Sequence, residues 1–131
     1  MTTATQTEGD VTIAITRDPA LVRTVRLVAA AVARRAACTD SLIEEIRLAV
    51  GEACAVMIGP DESAAEPDEK IEVQLQTEGQ FRVTVTGRVD GVDSGFADVG
   101  VDPWALLQGL SDDVDVAELD GVTRLTMSWP L

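Results

Sequence analysis

The chain has 131 residues, ten basic and 23 acidic side chains, a net charge of −13 and 46% hydrophobic residues. That length suits one domain with one core, and that hydrophobic share excludes a disordered chain. So acidic a surface disfavours direct nucleic-acid binding, whereas it would attract a basic protein or serve simply as solubility charge.

Residues 1–10 read as a flexible polar tail, and residues 11–131 as a single domain. Residues 11–16 alternate apolar and polar, the period of a half-buried strand. Asp18 and Pro19 then supply an N-cap and a proline at the first helical position. Leu21, Val25, Val28 and Val32 follow at helical spacing, which predicts a helix over 19–36. Arg23, Arg26 and Arg34 fall on its other side and read as a solvated face rather than a ligand clamp.

A second helix is predicted over 40–58, opened by Thr39, Asp40 or Ser41, with Ser41 and Glu44 at capping-box spacing. Its core stripe is Leu42, Ile46, Ala49, Ala53 and Met57. Glu45 and Glu52 project side by side at the border of that stripe, where a carboxylate either lines a pocket rim or is a hydrated helix edge. Residues 60–69 form an acidic, proline-bracketed loop.

Two alternating strands, 71–75 and 81–85, flank Gly79 and Gln80 and predict a hairpin. Residues 87–100 are rich in Gly and Asp and read as loop. Asp102 and Pro103 open a short helix through Gly109, and a last strand pair, 114–116 and 123–127, meets near Asp120 and Gly121. Strand, two helices, two strands, short helix and two strands make an α+β chain: a two-layer sandwich with helices on one face of a mostly antiparallel sheet.

The absence of histidine excludes a Ser-His or Cys-His pair and makes a zinc enzyme improbable. Cys38 and Cys54 lack metal spacing and read as reduced core thiols. No apolar run is long enough to span a membrane, and the first residues lack the pattern of a signal peptide, so a cytoplasmic protein is expected.

Residues 44–58 resemble the signature helix of the anti-sigma factor serine kinases, bacterial regulators with the GHKL ATPase fold. Residues 106–116 resemble that family's passage from helix to strand after the ATP lid, and Gly121-Val122-Thr123 its glycine-threonine element. The resemblance runs from about residue 11 to 131 and implies a GHKL-like sandwich.

It also implies a nucleotide pocket around Glu52, Val56, Gly87, Gly91 and Gly121, with Glu52 as candidate base. The family's magnesium-binding asparagine is replaced by Val56, which offers a hard cation no oxygen. Its adenine-reading aspartate is replaced by Gly87, and Val101 and Pro103 stand where the lid has glycines. Phosphoryl transfer depends on a metal and oriented donors.

The resulting expectation is an anti-sigma factor-like protein that binds a sigma factor, a STAS-type anti-anti-sigma factor or both, without metal or Mg-ATP. The alternative is an active serine kinase using Mg-ATP, with Asp90 or Asp93 holding the metal. A weaker third reading is a small-molecule sensor lined by Val56, Met57 and Trp104. The acidic loop 60–69 and carboxylates from Asp90 to Asp120 would face a basic sigma surface. A homodimer is implied by the resemblance.

Overall fold

The computed structural model describes residues 3–7, 10–58, 70–88 and 103–131. Six strands form one sheet: β1 (Thr3–Thr7), β2 (Asp10–Thr16), β3 (Lys70–Gln76), β4 (Gln80–Arg88), β5 (Asp113–Leu119) and β6 (Val122–Pro130). Their order is β1-β2-β3-β4-β6-β5, and every pairing is antiparallel. A short 3₁₀ turn (Pro19–Leu21) leads into α1 (Val22–Arg35), which forms a hairpin with α2 (Asp40–Ile58); α3 (Pro103–Leu110) precedes β5. The α+β reading with an antiparallel sheet holds.

Strand alternation decides which face is covered. Ile13 and Ile15 on β2, Val73 and Leu75 on β3, Val83 and Val85 on β4, and Leu125 and Met127 on β6 are all fully buried. The intervening Thr12, Gln74, Thr84 and Thr126 form one row across the opposite, half-exposed face. Burying eight such side chains supplies the main drive for folding, at about 1.5–3 kcal/mol each. The helices cover the apolar face, where Ala29, Ala30 and Ala33 of α1 are buried and let α1 lie close to its neighbours.

Phe81 and Trp129 face each other across β4 and β6, their rings edge-on with centroids 6.2 Å apart. The Trp129 indole Nε1 donates to the Leu110 carbonyl at 2.9 Å and ties the end of α3 to β6. That bond satisfies a helix-terminal carbonyl and the indole together.

Four local expectations need correction. Thr3–Thr7 pair with β2 as an edge strand, where a flexible tail was expected. The Thr39 hydroxyl caps α2 by accepting from the Leu42 amide at 3.2 Å, so Ser41 and Glu44 are not its capping box. Glu44 instead accepts from Arg47 within the helix. Gly87 belongs to β4 rather than to a loop, paired with Thr123 of β6. The predicted helix over 19–36 begins as a 3₁₀ turn, in which Asp18 Oδ1 accepts from the Ala20 amide.

Asp120 and Gly121 both take positive φ, 54° and 79°, the geometry of a two-residue hairpin turn between β5 and β6. Cys38 and Cys54 are both free thiols. Among the described residues no helix is long and apolar enough to cross a membrane.

Candidate functional site

Helix α2 presents the first group. Glu52 is exposed and lines a groove of about 340 Å³ between α1 and α2, shared with Val22, Arg26, Leu48, Ala55 and Ile58. Gly51 and Arg26 also line the groove, and there α1 and α2 approach closely. A Cβ on Gly51 would stand 3.0 Å from Arg26 Cδ, so the arginine stem lies across a residue with no side chain. Glycine inside a helix costs about 1 kcal/mol relative to alanine, and this close crossing is the local use of it.

Val56, one turn after Glu52, is 2% exposed. Its side chain carries no oxygen, so it has nothing to offer a hard cation. Among the described residues no three His, Cys, Asp or Glu side chains gather in a way that could hold a metal ion.

Around Gly87 a second, mostly buried region forms. A Cβ there would lie 3.5 Å from Ile71 Cγ1, 3.7 Å from Met57 Sδ and 3.8 Å from Arg17 Nη2, all ordinary contacts. The Arg17 guanidinium donates through Nη1 to the Met57 carbonyl at 2.7 Å, in the last turn of α2. A cation there complements the negative end of the helix dipole. Thr123, opposite Gly87, is 2% exposed, and its hydroxyl has no hydrogen-bond partner among the described residues.

The structure therefore sets Gly87 beside Met57 and Arg17 and opposite Thr123, with Gly121 in the turn that leads into β6. Arg88 Nη1 lies 3.3 Å from where a Gly121 Cβ would be. Glu52 opens on a different groove. Gly91, Asp90, Asp93, Val101 and the loop 60–69 lie outside the described residues, as does the Trp104 side chain. Met57, offered as a pocket wall, is fully buried in the core.

Arg17 was not singled out from the sequence, Arg26 was read as part of a solvated face, and Thr123 was named only within the glycine-threonine element. Gly51 was the available signal for Arg26, since a glycine in a helix interior often marks a close approach.

Burial pushes the Cys54 thiol up to about 12, with the nearby Arg26 charge opposing the shift. Burial also raises Cys38. Neither thiol is poised as a nucleophile, because the thiolate is the reactive form.

Another open surface among the described residues is the outer face of the sheet. A shallow groove of about 280 Å³ crosses β3, β4 and β6, lined by polar residues including Glu72, Gln74, Arg82, Thr84 and Arg124. Along the edge strand β5, Asp113, Asp115 and Glu118 are exposed, and like charges on an edge strand discourage strand addition.

Comparison with known proteins places these features. A family model described as the histidine kinase-like ATPase domain matches residues 15–129. A crystal structure of the RsbU and RsbW domains of Rv1364c from Mycobacterium tuberculosis is similar, with a TM-score of 0.70 at 18% identity. The match covers 95% of this chain and 32% of that one. At that identity the likeness shows a shared fold. A search of the curated proteins gives no match.

Proposed function

The chain belongs to the histidine kinase-like ATPase domain family, and from that premise we propose that it is a partner-switching regulator of the anti-sigma type. It binds a sigma factor, a STAS-type anti-anti-sigma factor or both, and does so without Mg-ATP. The observation that carries this reading is Val56, 2% exposed and without an oxygen, at the place of the family's metal-holding amide. Gly87 supports it, because a strand glycine has no carboxylate to read an adenine amino group. Arg17 places beside that position a guanidinium, which only donates hydrogen bonds, whereas an amino group there requires an acceptor.

Among the described residues, Val56 offers no oxygen for Mg²⁺ and Gly87 no carboxylate for adenine, which supports a role without Mg-ATP. What the fold keeps is a rigid sandwich with an acidic β5 edge and a charged helical hairpin, surfaces suited to protein recognition. A pull-down from native lysate with the full chain, read by mass spectrometry, tests the proposal. Recovery of a sigma factor or a STAS protein is the expected result; recovery of neither contradicts it.

The second reading, a serine kinase, draws on the exposure of Glu52, which leaves its carboxylate accessible as a base. Transfer of labelled phosphate from ATP to a STAS protein, abolished by Glu52→Ala, would establish that reading instead.

A further inference from the structure

The basic residues of the second half of the chain gather on one surface. Residues 51–131 hold only Lys70, Arg82, Arg88 and Arg124. Their strand neighbours Ile71, Phe81, Val83, Gly87, Thr123 and Leu125 are buried on the helix side of the sheet. Strand alternation therefore turns all four basic residues to the opposite face, where each is exposed.

The strand pairing fixes their arrangement. Arg124 is the direct partner of Thr86, whose other partner is Glu72, and Arg88 pairs with Val122, two residues from Arg124. Arg82 pairs with Ser128, four residues along β6 from Arg124, so the two arginines stand about 14 Å apart. Between them lie Thr84 and its partner Thr126, half-buried in the floor of the shallow groove. On β3, β4 and β6 this face carries four basic residues against one carboxylate, Glu72, so it is +3 in a chain of −13. Acidic residues frame it: the row through Gln76, Arg82 and Ser128 ends on Asp10 of β2 at one side and Asp113 of β5 at the other.

We propose that this outer sheet face is a docking surface for a short acidic segment of a protein partner, with carboxylates at its centre and basic flanks. The positive centre inside an acidic frame is the complement of that pattern. Carboxylates four residues apart on an extended segment are about 13 Å apart, which matches Arg82 and Arg124, and each guanidinium can take a carboxylate bidentately. The Thr84 and Thr126 hydroxyls offer hydrogen bonds to the stretch between. Nucleic acid fits less well. A phosphate backbone leaving the centre meets Asp10 or Asp113 within two strands, about 10 Å. The three strands also present no aromatic ring on this face for a base to stack on, because Phe81 and Trp129 are buried on the other side. The face lies away from the helices, so it serves whether or not a partner occupies the α1–α2 groove.

Fluorescence anisotropy of a labelled peptide with a central Glu-Ser-Glu-Ser-Glu run between lysines, titrated with the full chain, tests the proposal. Saturable binding that weakens as salt rises is expected. Arg82→Glu with Arg124→Glu should raise the dissociation constant at least about tenfold, whereas Arg23→Glu with Arg34→Glu on α1 should leave it unchanged. Glu72→Gln removes the one carboxylate among the basic residues and should tighten binding about threefold, a gain that misfolding cannot produce. A peptide that stays unbound at millimolar chain, or binding indifferent to the Arg82 and Arg124 reversal, overturns the proposal. So does tighter binding of an oligothymidylate of equal charge, which would make the face a nucleic-acid surface.

Discussion

Glu52 and Val56 stand one turn apart on α2 in opposite surroundings: Glu52 is exposed on the groove with α1, while Val56 is 2% exposed. An amide restored at 56 would enter a buried apolar setting. Val56→Asn is therefore expected to lower stability by about 2 kcal/mol, the cost of burying a polar group without partners. Glu52→Ala should change stability by no more than about 0.5 kcal/mol, as for other exposed substitutions. Urea unfolding measures both.

Thr123 presents the reverse case. Its buried hydroxyl has no partner among the described residues, so an isosteric apolar side chain removes a desolvation cost. Thr123→Val is expected to stabilise the fold by about 1 kcal/mol in the same assay. A loss of stability would show that the hydroxyl is satisfied in solution.

Two glycines separate backbone need from packing. Gly121 has φ 79° in the β5–β6 turn, and Gly121→Ala should cost about 1 kcal/mol or more. Gly87 lies within β4, and an added Cβ meets its nearest neighbour at 3.5 Å. Gly87→Ala should be neutral or stabilising by up to about 1 kcal/mol, through a less flexible unfolded chain. Thermal melts of the two variants should shift in opposite directions or, at the least, by clearly unequal amounts.

Cys54 gives the fold an alkaline weakness. Its thiol ionises near 9 when exposed and at about 12 when folded, because burial disfavours the thiolate. Above pH 9 the unfolded chain releases this proton first, so the contribution to stability is full below that pH and is lost as pH rises towards 12. The slope approaches about 1.4 kcal/mol per pH unit. Cys54→Ala should remove that part of the slope in unfolding curves taken across the alkaline range. In the native wild type, half-buried Cys38 should react with a thiol reagent well before Cys54.

The helix pair and both hairpins were legible in the sequence because their apolar residues recur at clean periods, as at Ile46, Ala49 and Ala53 or at Val83 and Val85. β1 was not, because Thr3–Thr7 contains no large apolar residue to mark an inward face, and its strand state depends on pairing with β2. Gly87 read as loop since glycine is depleted from strands; tertiary pairing with Thr123 overrides that preference. The cap of α2 was ambiguous among three adjacent polar residues, and only the backbone geometry selects Thr39.

The site was legible in its substitutions and not in its surroundings. Val56 without an oxygen and Gly87 without a carboxylate follow from residue identity. That Arg17 reaches the Met57 carbonyl and the edge of Gly87 requires the end of β2 to meet the end of α2, a long-range contact that no local pattern encodes. Likewise, that Glu52 shares a groove with Arg26 and Val22 of α1 depends on how the two helices pack, which no local pattern encodes.

The proposed regulator acts on proteins without using Mg-ATP. Isothermal titration of Mg-ATP into the purified chain tests it most directly. No saturable heat is expected; binding in the micromolar range would contradict the proposed role.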